Sequence, residues 1–207
     1  MDTFEKLAHH EGYKQIAGID EAGRGPLAGP VVSAAVIFPV AYKNSKIKDS
    51  KKLSARNREE LYDIIVSEAI AVGVGIADAE IIDRVNILQA TFLTMREAVL
   101  ELSTPPDFLL IDGLHCIPMQ IPQKPLVKGD NRSVSIAAAS IIAKVSRDRI
   151  MEMYHRQFPQ YNFLQNKGYG TKEHCSAVKQ FGLCKIHRKS FHIKHLNQTI
   201  LDLFEVK

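Results

Sequence analysis

The chain has 207 residues, of which 45% are hydrophobic and 24% are charged, and its formal net charge is +4. These values are typical of soluble globular proteins and exclude disordered, collagen-like and membrane-embedded classes, and the length fits one ordinary domain. The first residues include acidic groups and no apolar run of signal-peptide length, so we expect a cytoplasmic protein.

The first predicted elements are two short strands joined by a turn rich in glycine and proline. Residues 15–20 and 30–38 have strand composition, and their close spacing indicates a hairpin. From Ser54, a candidate N-cap, apolar residues at helical spacing predict a helix that ends near Gly73. A further strand is expected at residues 74–77.

The second half of the chain adds two helices and two strands. A helix is predicted from residue 88 to 102, then a buried strand at 108–111 and a shorter strand at 125–128. The longest helix is predicted at 133–158, with an apolar first half and a second half that exposes Arg147 and its charged neighbours. This order predicts an α/β fold with a mixed sheet, because hairpin strands pair antiparallel and crossover helices join parallel ones.

Three aspartates, Asp20, Asp112 and Asp130, each end a predicted strand and stand beside or within two residues of a glycine. In neighbouring strands their carboxylates would converge at one sheet edge. Glu21 can join them only if the backbone turns after it, since side chains alternate along a strand. A lone strand-end aspartate is more often a turn former or a helix cap. Clustered carboxylates repel one another and require divalent cations, and oxygen ligands favour Mg²⁺ or Mn²⁺.

The turn after Asp20 has the sequence Glu21-Ala22-Gly23-Arg24-Gly25. Its two glycines allow the backbone to approach a ligand closely, and Arg24 offers a planar cationic group, so the loop suits a sugar–phosphate. The alternative is a glycine-rich turn with an exposed arginine.

Residues 165–196 are basic, with seven Lys or Arg residues against one acid. Such a field attracts polyanions, although a solvated basic helix face gives the same pattern. Zinc is disfavoured at His174, Cys175, Cys184 and His187, because the two cysteines are nine residues apart, outside usual ligand spacing. Without a Cys-x-x-Cys pair, we expect reduced thiols.

Six stretches of the chain resemble a bacterial ribonuclease HII, in the order of that family and from about residue 16 to residue 174. They are DEAGRGPLAGPVV from Asp20, DSKKLS from Asp49, NILQAT from Asn86, LLIDG from Leu109, KGDNRSVSIAAASIIAKVSRDR from Lys128 and NKGYGTKEH from Asn166. The first and fifth are long enough to be highly specific.

The resemblance implies a ribonuclease H-like mixed five-stranded sheet flanked by helices, with a helical C-terminal extension. Residues 1–158 would be the catalytic core, and residues 159–207 a basic helical segment that covers the substrate cleft in the same compact unit. The implied enzyme is a metal-dependent endonuclease that hydrolyses the RNA strand of RNA–DNA hybrids. It would also act on ribonucleotides embedded in duplex DNA, leaving 3′-hydroxyl and 5′-phosphate ends.

The resemblance also implies roles for single residues. Two Mg²⁺ or Mn²⁺ ions would be held by four carboxylates, those of Asp20, Glu21, Asp112 and Asp130. The stretch Gly23-Arg24-Gly25 would read the ribose 2′-hydroxyl, which distinguishes RNA from DNA, and Tyr169 would pack at the sugar. Lys51 and Arg147 would contact phosphates or support the site. Their alternatives are a charged loop for Lys51 and a surface ion pair with Asp148 for Arg147.

Two other functions remain open at this point. A ribonuclease HIII-type enzyme shares the core but usually carries a domain ahead of it, whereas about 15 residues precede the first strand here. A catalytically silent module that binds hybrids or DNA would have no use for four converging carboxylates. We expect a monomer, with a replication clamp as a possible partner at the C-terminal residues 201–204.

Overall fold

The structure is a computed structural model that describes residues 2–47, 53–193 and 198–199. Its centre is a five-stranded mixed sheet in the order β3-β2-β1-β4-β5. The strands are β1 (Ile16–Ala22), β2 (Val31–Ile37), β3 (Ala71–Ala77), β4 (Phe108–Asp112) and β5 (Gln123–Leu126). The hairpin β1–β2 and the pair β2–β3 are antiparallel, and β4 and β5 continue the sheet parallel to β1. The predicted mixed α/β fold is therefore confirmed.

Seven helices are described: α1 (Thr3–His10), α2 (Ala55–Glu68), α3 (Ala79–Val85), α4 (Ile87–Leu100), α5 (Val134–Gln157), α6 (Phe163–Asn166) and α7 (Lys172–Phe181). Short 3₁₀ turns lie at Gly129–Asn131 and Pro159–Tyr161, and β6 (His192–Ile193) pairs with β7 (Gln198–Thr199). None of the helices in these described ranges is long and apolar enough to cross a membrane.

The helix α2 begins where the sequence predicts it and ends earlier than predicted. The hydroxyl of Ser54 accepts a hydrogen bond from the backbone nitrogen of Asn57, which confirms the N-cap. The predicted end near Gly73 is wrong, because the helix ends at Glu68 and Gly73 lies inside β3. A Cβ added to Gly73 would lie 2.0 Å from the carbonyl oxygen of Ala98, so this glycine allows α4 to pack closely on the strand.

The helix α5 lies across the middle of the sheet. Ser133 caps it by accepting a hydrogen bond from the backbone nitrogen of Ile136, as the helix start predicted from the sequence implies. It contacts β1 so closely that a Cβ added to Gly18 would lie 2.2 Å from the carbonyl carbon of Ser135. The helix α1, which the sequence analysis missed, supports this start, since its buried Glu5 accepts hydrogen bonds from the hydroxyl of Ser133 and the nitrogen of Ser135.

The two faces of the sheet carry separate parts of the core. One face packs against α5 and α2, and the other packs against α4. A further apolar cluster joins the end of α5 to residues 159–186, around Met151, Tyr161, Phe163 and Val178. The part of the chain after residue 158 is thus packed onto the end of the long helix.

The register of the parallel strands decides where the acidic residues lie. Ile19 of β1 pairs with Ile111 of β4, so the next residues, Asp20 and Asp112, are neighbours at the carboxyl ends of adjacent strands. In α/β sheets this edge is where ligands usually bind.

Candidate active site

A cavity of about 200 Å³ opens at the carboxyl ends of β1 and β4. The side chains of Asp20, Glu21 and Asp112 line it, which brings together three of the four predicted carboxylates. The other residues that line the cavity are Ala22, Gly23, Arg58, Ser140, Lys144, Arg147 and Tyr169. Acidic groups on the sheet edge therefore face basic groups that come from α2 and α5.

The fourth predicted carboxylate, that of Asp130, is not among the described residues that line this cavity. The strand before it ends at Leu126, short of the predicted residue 128, and Asp130 lies buried in the 3₁₀ turn that follows. Its Oδ1 accepts a hydrogen bond from Nδ2 of Asn131 at 2.8 Å. The turn nevertheless reaches the site, because the nitrogen of Gly129 donates to Oδ1 of Asp112 at 2.7 Å.

Burial and mutual repulsion make the carboxylates of the cavity hard to ionise. Burial raises the pKa of Asp20 well above its ordinary value, and the charges of Glu21 and Asp112 raise it further. Burial also raises the pKa of Glu21, while the guanidinium of Arg24 acts against that shift. The site therefore stores electrostatic repulsion that a cation would relieve.

The chemistry of these residues fits a hard divalent cation. The acidic residues of the cavity offer only carboxylate oxygens as ligand atoms. One of these, Oε2 of Glu21, is buried without a hydrogen-bond partner. In the orientations seen here, however, no group of three or more His, Cys, Asp or Glu side chains among the described residues is arranged to hold a metal ion. Two other carboxylate oxygens of the site already accept hydrogen bonds. Oδ1 of Asp20 accepts from the nitrogen of Glu21 at 2.7 Å, and Oε1 of Glu21 accepts from Arg24 at 3.2 Å. A cation that binds here competes with Arg24 for Glu21.

The strand β1 continues through Glu21 to Ala22, and the backbone turns at Gly23. Gly23 has a φ of +96°, a conformation that other residues rarely adopt. A Cβ at this position would also lie 2.1 Å from Nε of Arg147. Gly25 has more space, because a Cβ added there would meet only the ring of Tyr169, at 3.8 Å. The two glycines of the motif therefore serve different purposes.

Arg147 is buried, contrary to the prediction that it points into solvent. Its side chain is 1% exposed and donates hydrogen bonds to the carbonyl oxygens of Ala28, Pro30 and Lys167. The alternative of an ion pair with Asp148 is also wrong, because Asp148 pairs with Lys144 at 2.6 Å. Arg147 thus joins the glycine-rich loop to the segment that leads to Tyr169.

Tyr169 lies at the mouth of the cavity with 47% of its surface exposed. Its carbonyl oxygen accepts a hydrogen bond from Nδ1 of His174 at 2.9 Å, and Nε2 of His174 lies 3.1 Å from Nε2 of His187. These contacts assign the protons: Nδ1 of His174 donates, so its Nε2 accepts from His187, whose Nδ1 accepts from the nitrogen of Cys184. Burial lowers the pKa of His187 to about 4, so His187 is neutral in this series of hydrogen bonds at neutral pH.

His174 and His187 are two of the four residues considered for zinc. Both are buried and engaged in hydrogen bonds, so they are not exposed on a basic helix face. The cysteines are all free thiols. The residues form part of the support for Tyr169.

Two basic residues of the cavity were missed by the sequence analysis. Arg58 of α2 donates to the carbonyl oxygen of Leu53 at 2.6 Å, and Lys144 of α5 is the residue paired with Asp148. Each occupies an ordinary helical position, so only the packing of α2 against α5 places both beside the carboxylates. The predicted contact Lys51 lies outside the described residues.

A family model described as Ribonuclease HII matches residues 17–194 of the chain. The chain belongs to the ribonuclease HII family. Curated members of the family support this over nearly the whole length. The ribonuclease HII of Syntrophus aciditrophicus is 66% identical over 194 residues, covering 94% of this chain and 92% of the relative. That of Geobacter metallireducens is 57% identical, covering 91% and 89%.

Solved structures show the same fold. The ribonuclease HII in the PCNA complex from Archaeoglobus fulgidus aligns with a TM-score of 0.73 at 28% identity, covering 92% of this chain and all of that chain. The ribonuclease H2 of Pyrococcus horikoshii aligns with a TM-score of 0.72 at 25% identity, covering 86% and 94%. The Bst-RNase HIII structure with Mn²⁺, at 23% identity and a TM-score of 0.68, supports the fold alone.

Membership of the ribonuclease HII family confirms the resemblance found in the sequence. It makes the chain a hydrolytic endonuclease of the ribonuclease H class, which cuts the RNA strand of RNA–DNA hybrids. It also decides against the two rivals, the ribonuclease HIII-type enzyme and the silent binding module.

Proposed function

We propose that this ribonuclease HII also cuts at single ribonucleotides embedded in duplex DNA, and that Asp20, Glu21, Asp112 and Asp130 are its metal-binding catalytic residues. The products are a 3′-hydroxyl and a 5′-phosphate end. The observation that carries the proposal is the cavity near the ends of β1 and β4 where three carboxylates meet, that of Asp20 buried and those of Glu21 and Asp112 half-buried. A group of acids repels a phosphate unless cations are bound between them.

The proposed cofactors are two Mg²⁺ or Mn²⁺ ions. Their support is the oxygen-only ligand set, the partnerless Oε2 of Glu21 and the Mn²⁺ in the Bst-RNase HIII structure of the same fold. Bound ions of this kind supply an activated water molecule and stabilise charge on a phosphate and its leaving oxygen. Asp130 joins the set through its turn, which is attached to Asp112 by the hydrogen bond from Gly129.

The remaining residues of the cavity bind and orient the nucleic acid in this proposal. Arg58 and Lys144, which line the same cavity as the carboxylates, attract the phosphates that flank the cut. The Gly23-Arg24-Gly25 backbone reads the ribose 2′-hydroxyl, and the exposed ring of Tyr169 packs against the sugar. The segment 159–207, together with Lys51, adds contacts to the duplex along the cleft.

The experiment that tests the function maps the cuts in a labelled DNA duplex with one ribonucleotide, with Mg²⁺, with Mn²⁺ and with EDTA. We expect incision on the 5′ side of the ribonucleotide with either ion and no cut with EDTA. Complete resistance of that duplex, or cleavage that is indifferent to EDTA, would contradict the proposal. An all-DNA duplex of the same sequence is the control.

We further propose that the enzyme is a cytoplasmic monomer that contacts a replication clamp through its C-terminal residues. The support is the structural relative from Archaeoglobus fulgidus, which was solved as a complex with PCNA. The residues concerned, 201–204, lie outside the described part of the chain. Co-elution of the enzyme with a sliding clamp, lost when residues 201–207 are deleted, is the expected result.

A further inference from the structure

The loop that contains Gly23, Arg24 and Gly25 is held by the side chain of Arg188. Arg188 is fully buried, with 0% exposure. Its Nη2 donates to the carbonyl oxygen of Gly23 at 2.6 Å, its Nη1 to that of Arg24 at 3.0 Å and its Nε to that of Gly29 at 2.9 Å. One guanidinium therefore binds three carbonyl groups of a single loop.

The backbone around Arg188 strengthens this attachment. The nitrogen of Arg188 donates to the carbonyl oxygen of Leu27 at 2.9 Å, and the nitrogen of Gly29 donates to that of Ile186 at 2.8 Å. The guanidinium lies over the ring of Phe191, 4.9 Å from its centroid. Burial, with the charge of Arg147 nearby, lowers the pKa of Arg188 to about 9, so it stays cationic at neutral pH.

The direction of the three carbonyl groups has a consequence for the loop's amide groups. In a trans peptide the C=O and the following N–H point in opposite directions. Because the carbonyls of Gly23 and Arg24 point at Arg188, the N–H groups of Arg24 and Gly25 point away from it. Neither N–H donates a hydrogen bond within the described part of the chain. Two donors are thus presented side by side next to Gly23, which lines the cavity.

We propose that Arg188 is a positioning residue for ribose recognition: it fixes the N–H groups of Arg24 and Gly25 as donors to the 2′-hydroxyl. The inference rests on the function proposed above. Discrimination between RNA and DNA then depends on a side chain that never touches the substrate. A buried cation that satisfies several carbonyls costs much desolvation, so its retention for loop stability alone is unfavourable compared with an apolar residue.

The test uses Arg188→Lys in the full-length enzyme, since lysine keeps the charge and lacks the planar fork that reaches three carbonyls. The measured quantities are kcat/KM on a duplex with one ribonucleotide and Ki of the matching all-DNA duplex as a competitor. We expect kcat/KM to fall about tenfold, equivalent to about 1.4 kcal/mol, and Ki to stay within about twofold of the wild-type value. A role in duplex binding would move both quantities together.

A second variant, Phe191→Leu, guards against misfolding of Arg188→Lys. It keeps an apolar side chain and removes the ring under the guanidinium, so we expect the same selective loss at about threefold. Val178→Ala, in the apolar cluster of α7, is the control for equal loss of thermal stability and should leave kcat/KM unchanged below its Tm.

The outcomes separate this inference from the function on which it rests. If folded Arg188→Lys or Phe191→Leu keeps wild-type kcat/KM, or if Ki rises in parallel, the positioning role of Arg188 is refuted while the function stands. The same holds if Val178→Ala reproduces the selective loss. If the wild-type enzyme itself fails to cut the ribonucleotide duplex in preference to all-DNA, the proposed function fails and this inference with it.

Discussion

The Oδ1 atom of Asp112 accepts a hydrogen bond from the backbone nitrogen of Gly129 at 2.7 Å. This bond ties the end of β4 to the turn that carries Asp130, and it holds Oδ1 of Asp112 in place. Substituting asparagine preserves the acceptor and removes the charge.

Asp112→Asn should abolish turnover and retain the fold. We expect hydrolysis of a labelled hybrid to fall more than about 100-fold, because loss of even an outer partner of a metal ligand costs about 10- to 100-fold. Hybrid binding, measured by fluorescence anisotropy, should change little. The matched control is Asp107→Asn at the other end of β4, which bonds to the nitrogens of Lys14 and Gln15 and should lower stability alone. Near-normal cleavage by Asp112→Asn would refute its catalytic assignment.

Asp20→Asn should make the metal-free protein more stable. The pKa of Asp20 is raised in the folded state, so its ionised form opposes folding at every pH above its ordinary value. We expect a gain of about 1 kcal/mol or more at pH 7 in EDTA, seen as a Tm increase of about 2 to 4 °C. In the wild type this difference should shrink as the pH falls and Asp20 takes up its proton. Adding Mg²⁺ should stabilise the wild type more than the variant; equal stability of the two in EDTA would contradict the prediction.

Gly25→Ala and Gly23→Ala should differ in kind. An alanine at Gly23 meets Arg147 and an unfavourable φ, so we expect a loss of about 1 to 3 kcal/mol of stability together with activity. An alanine at Gly25 meets only the Tyr169 ring at 3.8 Å, so its Tm should stay near the wild-type value. Its methyl group enters the proposed ribose site, and kcat/KM on the ribonucleotide duplex should fall about tenfold or more. Thermal melts and kinetics on both variants check this, and full activity of Gly25→Ala would remove the loop from the ribose site.

His187→Gln should make the free energy of unfolding less dependent on pH below about pH 6.5. The folded-state pKa of His187, about 4, lies below the ordinary value of 6.5, so the unfolded chain takes up the proton first. Stability is therefore lost as the pH falls from about 6.5 towards 4, at up to about 1.4 kcal/mol per pH unit for this group. Chemical denaturation at several pH values should show the gap between wild type and variant narrowing over that window. A constant gap would show that His187 does not titrate as described.

The acidic residues were predictable because their signal is local and repeated. Asp112 ends β4 and Asp20 lies two residues before the end of β1, and in neighbouring parallel strands such positions meet. The point where the backbone leaves β1 was equally visible as Gly23. These patterns depend on chain direction and alternation, which a sequence shows directly.

The buried cations were not predictable from their own neighbourhoods. Arg147 follows a helical pattern of charged residues that fits an exposed face, and Arg188 is one basic residue among several in its segment. Their partners are carbonyl groups, which every residue has and no sequence pattern marks. The end of α2 was wrongly predicted near Gly73 for a similar reason. A glycine after a helical run is typical of a helix end, and equally of a strand that packs closely against a helix.

The carbonyl groups of Gly23, Arg24 and Gly29 accept hydrogen bonds from Arg188, which lies 159 to 165 residues later in the chain. During synthesis the ribosome has therefore made the whole sheet, with its acidic edge, before Arg188 emerges to close the loop. A nascent chain shorter than this lacks the side chain that holds the loop. Under the proposed role of the loop, translation itself thus delays the moment at which the nuclease can tell RNA from DNA.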